Sequence, residues 1–422
     1  MDRKGAGMSG EILFLCHRIP FPPDRGDKIR SHHILKQLAR LAPVHVVCFA
    51  DDDADMAEEV ELATLCRSYR LVRRTKPLVW AGLEALKRGE PISLTAFYDP
   101  LLDAYIRELV AGGRIGTIYV FSGQMGQYVP EGYGGRVIMD FVDVDSAKFQ
   151  AYGAQRKGLM GWVHRREARL LQQEEAQLAA TSDLSLLVSH KEAELFTHRL
   201  PADVVADVRV LGNGIDSEYF DPGLVEREPQ MMEQGGPRII FTGQMDYPPN
   251  IAAVERVAQR ILPLVRQQCP QATFHVVGRS PTEAVKALDK VDGVYIWGRV
   301  ADVRPWLKAA DMALVPLDIA RGVQNKVLEA MSMELPVVLT TAAATGINAL
   351  AGMHFVVADT DEALAEQLVA LAAHPQQGKR MGEDARRLVV EKQSWQSALS
   401  PLVEMLGHVP RLQLVDTMHD AA

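Results

Sequence analysis

Lys326 and Glu329 lie three residues apart in a segment whose apolar spacing predicts a helix from Asn325 to Met333, with Val327, Leu328, Met331 and Met333 on its inner side. Before it, Ala313 to Pro316 reads as a short buried strand, and a loop holding Arg321 and Gly322 joins the two. Pro336 stops the helix and Val337 to Thr341 reads as the next strand. In a strand–loop–helix–strand unit the loop lies at the carboxyl edge of the sheet, where the unpaired N–H groups of the helix start attract anions. Lys326 adds a full positive charge there. Glu329 lies about 6 Å further along the axis, and its carboxylate can accept two hydroxyl hydrogen bonds. A diphosphate at the helix start would leave its ribose within reach of Glu329, which outlines a nucleotide-diphosphate site.

A similar edge is predicted at the other end of the chain. Glu11 to Cys16 reads as a strand, His17 to Lys28 as a proline-braced loop closing on Gly26, and Ile29 to Leu41 as a helix. Arg25, Lys28 and Arg30 bring positive charge to that loop. Gly26 reads equally as a turn glycine or as a point where a phosphate approaches the backbone. No GxGxxG follows the strand, so a dinucleotide fold is not indicated. Further on, the strand Arg136 to Phe141 runs into Asp140, Asp143 and Asp145. A DxD after an apolar strand can hold a divalent metal, but this one is far from the Glu329 helix. Capping of the next helix by Asp145 or Ser146 is the structural alternative.

The elements that must position these residues alternate strand and helix throughout. With 422 residues, two domains are expected. Pro222 to Pro237, polar and rich in chain breakers, reads as the linker. After it come strands Arg238 to Thr242, Thr273 to Val277 and Val294 to Trp297, glycine loops at Gly243 and Gly278, and a helix from Asn250 to Val265. Ser394 to Leu406 reads as a terminal amphipathic helix. A formal charge of −8 gives no reason to expect nucleic acid. The four cysteines are scattered without CxxC spacing, which favours free thiols over disulfides or zinc. The first ten residues are polar and glycine-rich, unlike a signal peptide, and no apolar run reaches the length of a membrane helix. Two stretches mix basic and aromatic residues, Arg73 to Trp80 and Arg156 to Leu171. Each reads either as a solvated face or as a surface touching anionic lipid.

The run from Gly322 to Pro336, with NKVLEAM followed by LPVV, resembles the donor-binding motif of the family 4 glycosyltransferases. Together with IARGVQ before it and the opening LCHRIPFPPDRGDKIR, it is similar to the bacterial sugar transferases associated with exopolysaccharide and exosortase (PEP-CTERM) systems, over nearly the whole chain. The resemblance implies an α/β GT-B fold: two Rossmann-like domains with parallel sheets facing across a cleft, and a C-terminal helix crossing back to the first. Residues 1–225 would form the acceptor-side domain, completed by 394–422 with Trp395 as an anchor, and 226–393 the nucleotide-sugar domain. It implies retaining, metal-independent transfer from a nucleotide-diphosphate sugar, with no cofactor, to a glycan or lipid-linked acceptor, in the cytoplasm or on the inner face of the membrane.

Carried over residue by residue, Asp143, ahead of Asp140, would face the donor sugar, and Gly26 would lie near the phosphates and the acceptor. The loop at Gly243 would approach the phosphates and the loop at Gly278 the base. Gly322, Asn325 and Glu329 would complete donor binding. The GNGID segment from Gly212 to Asp216 resembles the turn that closes the first domain. Two departures stand out. Arg321 occupies a slot that commonly holds a glutamate, and QMDYPPN after Gly243 lacks the usual basic pair, leaving Arg321, Lys326 and Arg279 to meet the diphosphate. These departures keep open a second reading, a non-catalytic sugar-nucleotide-binding partner of polysaccharide assembly.

Overall fold

The computed structural model describes residues 10–320 and 323–407. They form two compact units, one running to Asn213 and resuming at Ala398, the other spanning Gly214–Ser397.

The first unit is built on seven parallel strands: β1 (Glu11–Cys16), β2 (Val44–Ala50), β3 (Ser68–Arg73), β4 (Ile115–Phe121), β5 (Arg136–Val142), β6 (Leu184–Leu187) and β7 (Val208–Val210). Their order is β3-β2-β1-β4-β5-β6-β7. Every residue of β2 and all of β1 after Glu11 are buried, as expected of central strands covered on both faces. The covering helices include α1 (Gly26–Leu41), α2 (Leu78–Arg88), α3 (Ile92–Ala96), α4 (Asp145–Gln155) and α5 (Gly158–Thr181). The winding reverses between β1 and β4, which opens a crevice at the carboxyl ends of those two strands.

The second unit repeats the plan with six parallel strands: β8 (Arg238–Thr242), β9 (Thr273–Val277), β10 (Val294–Gly298), β11 (Met312–Val315), β12 (Val337–Leu339) and β13 (Val356–Val357), in the order β10-β9-β8-β11-β12-β13. Its core runs through Ile239, Phe241, Phe274, Val276, Leu314, Leu328 and Val338. Helices α6 (Pro248–Arg256) and α7 (Asn325–Ser332) follow β8 and β11, the two strands flanking this unit's reversal of winding.

Three expectations change. The chain enters the second unit at Gly214, ahead of the joint expected at 225. Ile215 and Phe220 are buried in that unit's core, the Phe220 carbonyl accepts from Ser332 Oγ at 2.8 Å, and Met231 within the expected linker is fully buried. The helix expected from Asn250 to Val265 begins at Pro248 and passes through a π turn at Val257–Ile261 into Leu262–Gln268. Pro263 supplies no N–H and cannot sit in an unbroken α-helix. The terminal helix is two short pieces, Trp395–Ala398 and Leu402–Met405, interrupted ahead of Pro401. Ser394 bridges Ile215, and the backbone of Trp395 lies against Gly214, so Trp395 belongs to the second unit rather than anchoring to the first.

Candidate functional site

Three loops of the second unit converge at the carboxyl ends of β8, β9 and β11. Gly243, which ends β8, donates its N–H to the Val277 carbonyl at 3.1 Å, and Gly278, which ends β9, lies directly on it. A Cβ on Gly278 would stand 1.6 Å from the Gly243 oxygen, and a Cβ on Gly243 would stand 3.1 Å from Lys326 Nζ. Neither place admits a side chain. The Met245 N–H donates to the Arg279 carbonyl at 2.8 Å, and Arg279 Nη2 to Gln244 Oε1 at 3.1 Å. Glycines separated by a whole strand and helix in sequence are thus one surface in the fold.

α7 presents its start to this surface, and no side chain caps it. Lys326 Nζ donates to Asn250 Oδ1 at 2.7 Å and lies 4.3 Å from the centre of the Phe241 ring. Asn250 is held in turn by donating Nδ2 to the Gln244 carbonyl at 2.8 Å. Asn325 is exposed at the first position of the helix and Glu329 follows one turn in, half-buried. Burial pulls the Lys326 ammonium down to about 8 while Glu329 acts against it; burial pushes the Glu329 carboxyl up to about 7 while Lys326 acts against that. Each charge is held where water solvates it poorly, which favours a ligand that brings the opposite charge or hydroxyl groups.

The structure therefore brings together Gly243, Gly278, Arg279, Asn325, Lys326 and Glu329. Arg321 and Gly322 lie outside the described residues. Asn250 was missed by sequence reasoning because it follows two prolines and reads as a helix start. It fills the place where basic residues were expected and orients the lysine that supplies the charge. Arg256 was missed as well: it donates to the Pro316 carbonyl, to Asp318 and to Asp361, tying α6 to the loop after β11. Its only sequence signal is a basic residue on an otherwise apolar helix face.

In the first unit two expected anion ligands are spent elsewhere. Lys28 is buried and donates to Asp55 and to the Phe21 carbonyl. Arg30 is buried and pairs with Asp140 at 2.9 Å, while its Nη1 reaches Asn213 Oδ1 at 2.8 Å and the Gly212 carbonyl at 3.2 Å. Asp140 also accepts from Tyr119 Oη at 2.9 Å and is fully buried, which removes it as a residue facing a ligand. Arg30 and Asp140 instead fasten Gly212 and Asn213 to the sheet. Arg25 shares Asp51 and Asp27 with Arg18. Gly26 opens α1 with nothing within 4 Å of where a Cβ would be, so the glycine is not required by packing.

Asp143 is exposed at the end of β5. Desolvation, then Glu192 and Asp145, push its carboxyl above the usual range. The residue before it, Val142, has φ 69°, a left-handed conformation costly for a β-branched side chain. Neither Asp145 nor Ser146 caps α4. Glu175 accepts from Ser146 N at 2.8 Å and Glu192 from Val144 N at 3.0 Å, so carboxylates from two other helices serve that end. Among the described residues no group of three or more His, Cys, Asp or Glu is arranged to hold a metal ion, the DVD included.

Residues 236–374, the core of the second unit, match the family model described as glycosyl transferases group 1. No curated protein matches by sequence. Among solved structures, sucrose-phosphate synthase from Thermosynechococcus elongatus shares 16% identity at a TM-score of 0.60, over 94% of this chain and 98% of that one. HepE of Anabaena, in complex with UDP and glucose, shares 15% at 0.58, over 94% and 99%. WaaG, a glycosyltransferase involved in lipopolysaccharide biosynthesis, shares 16% at 0.57, over 94% and 100%. At these identities the likeness carries the fold, two Rossmann-like domains of GT-B type.

Proposed function

We propose that this chain is a retaining glycosyltransferase that moves a sugar from a nucleotide-diphosphate sugar to a glycan or lipid-linked acceptor in exopolysaccharide biosynthesis, in the cytoplasm or against the inner membrane face. The observation that carries the reading is the Lys326 ammonium, fixed by Asn250 beside the glycine backbone of Gly243 at the uncapped start of α7. The match of residues 236–374 to glycosyl transferases group 1 supports it.

When the bond between the anomeric carbon and the diphosphate breaks, its electron pair goes to the phosphate oxygen and positive charge grows on the sugar. Lys326 and the helix start meet the charge on the leaving group without a metal, as fixed donors that need no reorganisation, and the resemblance, through its missing basic pair, assigns Arg321 to the same phosphates. Gly243, Gly278 and Gly322 let the backbone approach the donor, with Arg279 and Asn325 at the rim, and Glu329 accepts the ribose hydroxyls. On the first unit we assign Asp143 to the donor sugar and Gly26 to the loop near phosphates and acceptor. Acceptor and retention rest on the resemblance.

Calorimetry with UDP and UDP-glucose, followed by a panel of other nucleotide sugars, tests donor binding, and release of labelled sugar to water or acceptor tests turnover. A chain that binds no nucleoside diphosphate overturns the donor site. Binding without transfer to any acceptor favours the sugar-nucleotide-binding partner instead.

A further inference from the structure

We propose that α2 and the start of α5 form a docking surface for an anionic lipid bilayer, which deepens the reading of a membrane-borne acceptor by naming where the membrane is met. The surface stands on its own geometry, and the donor site can fail or hold independently of it.

α2 is amphipathic in the unusual sense. Val79, Leu83 and Leu86 fall at i, i+4 and i+7 on one face, and they are 74%, 54% and 52% exposed. The face turned to the protein carries only Ala81 and Ala85, both fully buried. Leu78 and Trp80, each 66% exposed, flank the outward stripe. A surface helix of a monomer in water places its apolar stripe inward; this one reverses the arrangement over three turns.

A second apolar group lies on the helix next to it. Leu159, Met160 and Trp162 are exposed at the start of α5. One turn past Trp162, Arg166 donates to the carbonyls of Ala85 and Glu90 at the end of α2, and Glu167 accepts from the backbone of Ile92 and Ser93. The turn into α5 is close-packed, since a Cβ on Gly161 would stand 2.1 Å from the Arg156 carbonyl. Two exposed apolar segments, each with a tryptophan, are therefore fixed on neighbouring elements of one unit.

Charge selects the occupant. Residues 73–90 hold five basic and two acidic side chains and residues 156–169 five and one, in a chain whose formal charge is −8. Arg73, Arg74, Lys76 and Arg88 are paired with Asp53, Asp51 and Glu84, so the rim around the apolar residues is carried by Lys87, Arg156, Lys157 and Arg169, all exposed. Apolar stripe, interfacial tryptophans and a cationic rim are what an anionic headgroup layer with acyl chains beneath it accommodates. A twofold contact between copies of the chain would lay this cationic rim against itself.

Co-sedimentation with phosphatidylcholine vesicles, with and without phosphatidylglycerol, tests the surface on the full chain. The chain is expected to bind the phosphatidylglycerol vesicles and not the purely zwitterionic ones. Val79→Ser/Leu83→Ser/Leu86→Ser should lower the partition at least about tenfold, from lost acyl-chain burial. Arg156→Glu/Lys157→Glu should lower it at least about fivefold, from roughly one such factor per cation. All five positions are exposed, so an unchanged melting temperature and unchanged UDP affinity show that fold and donor site are intact. Equal binding to both vesicles, no loss in the triple serine variant, or self-association abolished by that variant would each overturn the proposal.

Discussion

Lys326 Nζ and Asn250 Oδ1 meet at 2.7 Å, joining the start of the helix after β11 to the start of the helix after β8. The two helices flank the reversal of strand order, so this one hydrogen bond sets the charge at the mouth of the crevice. Asn250→Ala removes the acceptor and leaves the ammonium without its fixed direction. Donor affinity measured by calorimetry should fall by about 1–2 kcal/mol, close to tenfold. Wild-type affinity in Asn250→Ala would mean that the ammonium is positioned by other contacts.

Glu329 and Lys326 each make stability depend on pH, in opposite senses. Glu329 is raised from 4.5 to about 7, so between those values the folded chain holds a proton that the unfolded chain has lost, and stability falls as pH rises. Lys326 is lowered from 10.5 to about 8, so above about 8 the unfolded chain holds the extra proton and stability rises with pH. The joint contribution of this pair to the stability of the ligand-free chain should be smallest between about pH 7 and 8. Glu329→Gln should raise the unfolding free energy there by an amount on the order of 1–3 kcal/mol, while weakening donor binding more than it slows turnover. A melting temperature that is flat from pH 5 to 8 in the wild type would contradict the burial argument.

How much of this the sequence carried depends on how far apart the interacting residues lie. Unbroken apolar runs marked β1, β2, β8 and β9 as central parallel strands, and the apolar spacing around Lys326 and Glu329 marked α7 and placed both charges near its start. Both are local patterns, complete within one turn or one strand. Lys28 and Arg30 misled because their acids, Asp55 and Asp140, are 27 and 110 positions away, and nothing nearby shows that those cations are already neutralised. Gly243 and Gly278 were legible as loops, but not that one oxygen fills the space of the other's missing side chain. The apolar period of Ser394 to Leu406 was real, and Pro401 overrode it.

The Arg30–Asp140 pair, fully buried and bridged to Tyr119 and Asn213, should govern the stability of the first unit. Asp140→Ala leaves a guanidinium in a low-dielectric interior and should cost about 3–5 kcal/mol by chemical denaturation. Replacing both, as Arg30→Met with Asp140→Leu, should recover much of that loss because no orphan charge remains. A single Asp140→Ala change under about 1 kcal/mol would mean that water reaches Arg30.

Glu334 follows α7 with φ 59°, a conformation that favours glycine, and its exposed carboxylate comes only within 3.8 Å of the half-buried Arg386, which already pairs with Asp221. Strain of this kind costs about 1–3 kcal/mol, more than an exposed ion pair returns. Glu334→Gly should therefore raise the unfolding free energy by about 1 kcal/mol. A destabilised glycine variant would show that the Arg386 contact outweighs the backbone strain.

Asp143 is where strain and charge coincide in the first unit. The left-handed Val142 turns the chain as it leaves β5, and the carboxylate that follows is exposed beside Glu192 and Asp145, which raise its proton affinity after desolvation. The Val142 backbone is held by its own bonds where the β5–β6 register shifts, its N–H donating to Asp140 Oδ1 at 3.2 Å and its carbonyl accepting from Val188 N at 2.8 Å, whereas the Asp143 carboxylate accepts no hydrogen bond among the described residues. A perturbed, exposed carboxylate without a hydrogen-bond partner of its own is a candidate for chemistry. Asp143→Asn keeps the shape and removes the charge. If the carboxylate stabilises positive charge growing on the sugar, turnover should drop by about 10²-fold, the loss typical of one preorganised electrostatic contact. Donor affinity should stay within about twofold, because the charge it answers exists only as the bond breaks. The same substitution should raise the melting temperature slightly where the carboxylate is ionised, since it relieves repulsion from Glu192 and Asp145. Undiminished turnover with that stabilisation would assign Asp143 to the surface and leave the chemistry to Lys326 and the loop before it.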